Sequence, residues 1–190
     1  MLPEDLKEKL MEVDSSLKKR QEVAFWIVKK PHYVREALQW CFTPESELLI
    51  PTAWVMEIIC KHNPKNFFKY MHLFFEQLPN IKNDSALRSC AKICEMLCHY
   101  HFMHEFGIIS NVLDKSERTL ITECCFDWLI TDQKVACQAP AMQCLYYLGW
   151  DDDKKWIYPE LRNILTENAQ NKSAGYQARA RKILKRIAQE

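Results

Sequence analysis

The chain has 190 residues, enough for one domain or one short repeat array that buries about 70% of its unfolded surface. It holds 3 glycines where average usage near 7% would give about 13, a scarcity that argues against sandwiches, barrels and phosphate-cradling loops. With 48% apolar residues, 27% charged residues and a net charge of +1, the composition excludes a disordered tail and disfavours a polyanion-binding protein.

From the start of the chain, Met1 to Leu10 mixes acids and bases with no apolar stretch, so no signal peptide is expected. Ser16 to Lys30 carries Leu17, Ala24, Ile27 and Val28 at helical spacing, and Pro31 opens a second helical stretch over His32 to Phe42. Glu45 to His62 repeats the plan with Leu49, Ala53, Met56 and Ile59 inward. Pro64 then opens one further helix over Lys65 to Leu78. Asp84 is the expected N-cap of a helix running through His101. A looser segment, 105–114, leads to Ser116 as the cap of a helix ending near Ile130. Gln133 to Leu148, Asp151 to Ala169 and Ser173 to Ala188 complete nine or ten helices. The longest uncharged run, Val135 to Trp150, is 16 residues, short of the 18 or more that a membrane span needs. It reads as a buried helix, and no membrane association is expected.

Several helices superpose in sequence. Leu49, Leu87, Val135 and Tyr176 fall in one column. Ala53, Ala91, Ala139 and Ala180 fall four residues on, and Met56, Cys94, Met142 and Ile183 three further. A small side chain at a fixed point of each helix lets a neighbour approach closely, and steps of 38, 48 and 41 residues match solenoid periods. Pro51 and Pro140, beside the alanine column, should each begin a regular helix or kink it.

These columns, with Thr52-Ala-Trp54, Lys61-His-Asn-Pro64 and the terminal Ser173 to Leu184, resemble HEAT or armadillo-type helical repeats. Within that class the chain is similar to small bacterial HEAT-like proteins of about this length. The resemblance runs from about Arg20 to Ile187 and implies an all-α, α-α superhelix of antiparallel helix pairs. Its parts would be a capping pair over 14–43, repeats over 45–79, 84–131 and 132–170, and a capping helix over 173–190. It implies no shared chemistry. Some such proteins carry the label adenylosuccinate lyase, but the serine-bearing loop of that enzyme, of the form Gly-Ser-Ser-x-Met-Pro, does not occur here.

Candidate sites are weighed against helix packing. Cys90, Cys94, Cys98 and His101 lie along one helical face and form an alternative metal set, but Cys94 sits in a column that the repeat fills with hydrophobes, so a buried core is the expectation. His99, His101 and His104 read as surface residues, and vicinal Cys124 and Cys125 as core. Asp151, Asp152 and Asp153 precede a helix and read as its cap. The basic set Arg179, Lys182 and Arg186, with Arg181 and Lys185, reads as the solvated face of an end cap, with a phosphate backbone or acidic partner as alternative. HEAT-like alkylpurine DNA glycosylases suggest a stacking role for Trp128 beside Asp127, which the near-neutral charge disfavours.

The resemblance places a binding surface on the concave face, formed by the second helix of each pair. Lys65, Lys69, His72 and Glu76 form one stripe, Glu123 and Asp127 with Thr119 the next, and Arg162 with Asn163 and Thr166 the last. Alternating signs suit a protein segment better than a polyanion. The expectation is a non-catalytic interaction module without a cofactor, binding another protein as a monomer or weak dimer. Nine cysteines without framework spacing point to a reducing, cytoplasmic setting. DNA binding and a cysteine metal protein are the alternatives.

Overall fold

A computed structural model describes residues 2–103, 111–168 and 172–190. Among them are eleven α-helices and no strand. None of the described helices is long and apolar enough to cross a membrane. The chain divides into two compact units, Met1–Ile93 and Cys94–Glu190.

The first unit contains α1 (Glu4–Met11), α2 (Leu17–Val28), α3 (His32–Trp40), α4 (Leu49–His62), α5 (Pro64–Phe68), α6 (Met71–Gln77) and the beginning of α7 (Asp84–Phe102). α1 escaped the sequence reading, yet Leu6 and Leu10 are fully buried. It is held by Asp5, which accepts from the Tyr33 hydroxyl at 2.8 Å and from Lys30 Nζ at 2.9 Å. In α2 the Ser16 hydroxyl accepts from the Lys19 N–H, satisfying one of the orphan donors of the first turn. Leu17, expected inward, is exposed at the start of that helix.

Central to this unit is α4, which packs against α1, α2, α3 and α5. Pro51 is its third residue, inside the first turn where a missing N–H breaks no bond, so it begins the helix and does not kink it. Pro64 stands at the first position of α5. The single helix expected over Lys65 to Leu78 is broken: Tyr70 leaves helical geometry at φ −127° and ψ 13°, separating α5 from α6. The break seats aromatic rings, with Phe74 5.5 Å from Phe42 and 5.6 Å from Phe67 between ring centroids. α7 is not capped by Asp84. The Asn83 side-chain oxygen accepts from the N–H groups of Ser85 and Ala86, so the cap lies one residue earlier.

The second unit contains the rest of α7, then α8 (Lys115–Ile130), α9 (Val135–Leu148), α10 (Ile157–Asn168) and α11 (Ala174–Ile187). α8 starts at a capping box in which Asp114 accepts from the Glu117 N–H and Glu117 accepts from the Asp114 N–H. The expected cap, Ser116, instead donates its hydroxyl to Asp114 at 2.7 Å.

α9 is the axis of the unit, packed by α8, α10 and α11. Being enclosed on several sides, it buries Cys137, Gln138, Pro140, Ala141, Met142, Gln143, Cys144 and Leu145 together. The sequence columns slip here. Met142 of the expected column is fully buried, but Val135 is 36% exposed, and Cys137, Ala141 and Cys144 are buried at the i, i+4, i+7 positions beside it. Pro140 lies well inside α9, where it removes a hydrogen bond to the carbonyl four residues back. The carboxamide of Gln138 donates to the Trp128 carbonyl at 3.1 Å and so covers the open end of α8.

Candidate functional site

The expected polar stripe of the first unit is dispersed by the break at Tyr70. Lys65 belongs to α5, His72 and Glu76 belong to α6, and Lys69 lies in the joint. All four side chains are exposed, but their seven- and four-residue spacings no longer measure positions around one helix. In the second unit Glu123 and Asp127 are exposed on α8, and Arg162 is exposed on α10. Among the described residues no hydrogen bond or ion pair joins these three.

Burial bears on one alternative and corrects one expectation. Trp128 is buried in α8, so its ring is not offered to a nucleic acid base. His101 is buried and its Nδ1 accepts from the Leu113 N–H at 3.1 Å, which makes it the tie between the end of α7 and the entry to α8. His99 is half-buried, with Nδ1 3.2 Å from the Tyr147 hydroxyl. His104 lies outside the described residues.

All nine cysteines are buried free thiols, Cys90, Cys94 and Cys98 among them. Among the described residues no group of three or more His, Cys, Asp or Glu is arranged to hold a metal ion. Cys144 is hydrogen-bonded to both Cys98 and Cys125 inside the second unit. Burial pushes the Cys98 and Cys144 thiols well above their ordinary range and Cys125 up to about 12. These groups are protonated at neutral pH and act as small core side chains.

In the acidic run before α10, Asp151 and Asp153 are held by cations of α8. Asp151 makes no capping bond. It accepts from Arg118 Nε at 2.7 Å, and Asp153 pairs with Lys115 at 3.0 Å. Lys154 is buried beneath them, its Nζ 3.3 Å from the Thr119 hydroxyl, and burial lowers its pKa. These residues fasten the approach to α10 onto α8.

The terminal basic set is likewise not simply solvated. Arg179 and Arg186, seven residues apart, flank the buried Tyr176, Ala180, Ile183 and Ile187 stripe of α11. Both donate to the Gln143 carboxamide oxygen, at 3.5 and 3.2 Å. Arg179 also lies 3.6 Å from Glu95, and the Arg186 guanidinium sits 5.4 Å from the centroid of the Tyr146 ring. Of the three, only Lys182 is fully exposed.

What the second unit assembles instead is a cleft of about 710 Å³ lined by Gly149, Trp150, Lys155, Tyr158, Arg162, Ile187 and Glu190. Its wall begins at the end of α9. Tyr146 stacks on Tyr158 at 6.1 Å and meets Trp150 edge-on at 5.5 Å. The Tyr158 hydroxyl donates to the Tyr146 carbonyl at 3.0 Å, which covers one of the carbonyls left open at the helix end. Gly149 makes this possible: a β-carbon there would come within 2.7 Å of the Tyr158 ring, closer than any real contact.

Two hydrogen-bond donors converge on Glu190. Its Oε1 accepts from the Tyr146 hydroxyl at 2.8 Å and from Trp150 Nε1 at 3.3 Å. Burial, and then the hydrogen bond to Glu190, raise the Tyr146 pKa, so the hydroxyl stays a donor. Burial drives the Tyr158 pKa further up. Aromatic walls, two hydrogen-bond donors and the cations Lys155 and Arg162 make a surface suited to binding an anionic, partly apolar group.

Of these residues the sequence reading anticipated Arg162, and Arg186 beside them. It passed over Trp150, Tyr158, Gly149 and Glu190. A signal was present in Tyr146-Tyr-Leu-Gly-Trp150, where one of only 3 glycines in the chain stands among aromatics. No family profile matches the chain, and no curated protein or solved structure matches it.

Proposed function

We propose that the chain is a non-catalytic protein-interaction module of the HEAT-type α-α superhelical class, and that it holds a segment of another protein in the cleft of its second unit. The repeat reading is supported by burial at matching positions: Leu49, Ala53 and Met56 in α4, Leu87, Ala91 and Cys94 in α7, and Tyr176, Ala180 and Ile183 in α11.

The observation that carries the binding reading is the composition of the cleft. Trp150, Tyr158 and Arg162 are of the residue types that anchor protein interfaces, because each offers a broad apolar surface with a polar edge. In the exposed stripe of the first unit, Lys65 borders a smaller pocket of about 280 Å³ whose other lining residues are His62, Asn63, Pro64 and Asn66, without a Trp or Tyr.

Affinity capture from native lysate tests this, comparing wild type with a Trp150→Ala, Arg162→Glu variant and a Lys69→Glu, Asp127→Lys variant. Proteins held by wild type and by the second variant, but lost from the first, are the expected result. Loss only from the Lys69→Glu, Asp127→Lys variant would move binding to the stripes. Recovery of only nuclease-sensitive material would contradict a protein partner.

A further inference from the structure

We propose that the cleft of the second unit reads a glutamate side chain on an acidic segment of a partner protein, and that Glu190 is an internal occupant that competes for the same seat. The inference rests on the proposed interaction function and adds the chemistry of the partner and a means of regulation. The seat is specific in its geometry. One carboxylate oxygen, Oε1 of Glu190, receives both the Tyr146 O–H and the Trp150 indole N–H. An indole nitrogen can only donate, so the Trp150 side of this seat selects an acceptor.

The surroundings favour a charged acceptor over a neutral one. Lys155 and Arg162 line the same cleft, and Arg186 lies over the Tyr146 ring. Among the residues that line the cleft, Glu190 supplies the carboxylate. Ile187 and the Tyr158 ring supply an apolar floor beside it, which suits a segment carrying an aliphatic residue next to its glutamate. The seat is also held in place before anything enters. Gly149 lets Tyr158 lie against the end of α9, and the Tyr158 bond to the Tyr146 carbonyl fixes the two rings relative to each other.

Glu190 can leave this seat without dismantling the unit. α11 ends at Ile187, and Ala188, Gln189 and Glu190 are exposed residues beyond its last full turn. Tethered so closely, its carboxylate has an effective concentration on the order of millimolar. A weak acidic segment therefore binds only when it displaces Glu190 or brings further contacts of its own.

The test uses a fluorescently labelled, end-blocked hexaglutamate peptide, with hexaglutamine as control, titrated by anisotropy at low salt. The proteins are the full chain, Glu190→Gln, and Glu190→Gln combined with Tyr146→Phe or with Trp150→Phe. Glu190→Gln is expected to bind hexaglutamate about tenfold more tightly than wild type, and each added substitution to lose about tenfold, the effect of one charge-assisted hydrogen bond of about 1.4 kcal/mol. Hexaglutamine should bind none of them measurably.

Equal affinity of wild type and Glu190→Gln would overturn the internal occupant, and equal binding of hexaglutamine would overturn the reading of charge. Both results are independent of whether the ring variants fold. Full displacement of the peptide by equimolar glutarate would overturn the peptide segment in favour of a small dicarboxylate. Should the Trp150→Ala, Arg162→Glu variant lose its lysate partners while hexaglutamate fails to bind, the acidic specificity alone is wrong. Retention of all partners by that variant removes the cleft as the place where they bind.

Discussion

The two units carry their polar residues differently. In the first, Lys65, Lys69, His72 and Glu76 stand exposed along a chain that breaks at Tyr70. In the second, Tyr146, Trp150, Tyr158 and Glu190 are bonded to one another around a cleft. An exposed charge must be ordered by its ligand, at a cost in side-chain entropy, whereas the bonded set is ordered already. A helical wheel finds the former. Only contacts between residues 44 positions apart, as in Tyr146 and Glu190, create the latter.

Substitutions that disturb this order should therefore cost more in the second unit than in the first. Gly149→Ala forces a β-carbon against the Tyr158 ring and should destabilise the chain by about 1–3 kcal/mol, as overpacking does. Tyr158→Phe removes one hydrogen bond to the Tyr146 carbonyl and should cost about 1 kcal/mol. Lys69→Glu, at an exposed position, should stay within about 0.5 kcal/mol of wild type. Urea denaturation of the three variants ranks them, and a Lys69→Glu cost as large as that of Gly149→Ala would erase the contrast.

Both units carry groups that link stability to pH. In the first unit, hydrogen bonds from Lys30 and Tyr33 hold Asp5 below its ordinary value. Hydrogen bonds from Lys19 and Lys9 lower Glu12 to about 2. Carboxylates with depressed values stabilise the fold above their unfolded values, 3.8 and 4.5, and that contribution is lost as pH falls through the folded values. Thiols with raised values behave oppositely. Cys98, Cys125 and Cys144 favour the folded state below their ordinary value of 9.0, and the benefit declines as pH rises above it. Hydrogen exchange should thus show α1, α2 and the entries to α8 and α10 losing protection below about pH 4, since Asp114 and Asp153 are lowered like Asp5 and Glu12. It should show α4, α8 and α9 losing protection above pH 9.0, since burial raises Cys60 as well as Cys125 and Cys144. Unchanged protection of these helices at both extremes would contradict this linkage.

How much of this was legible in the sequence follows from the range of the interactions. Helical periodicity and scarce glycine gave the all-helical class, and Pro64, a first-turn residue of α5, marked a helix start. Burial of the cysteines was also foreseen, because Cys94 shares a column with Met56 and Ile183. α1 was missed because two buried leucines in eight residues form too short a pattern. The face of α9 was misassigned because a helix enclosed on several sides has little apolar asymmetry to read. Asp151 and Asp153 looked like a cap, since their partners Arg118 and Lys115 are more than 30 residues away. The cleft escaped for the same reason, although Arg162 was among the residues singled out.

The central claim is that binding resides in the cleft of the second unit and not on the exposed stripes. Hydrogen exchange on the Glu190→Gln chain of 190 residues, with and without hexaglutamate, tests it most directly. The account predicts slowed exchange over 146–162 and no change over 64–77. Protection confined to 64–77, or to Arg179 through Lys182 alone, would contradict it.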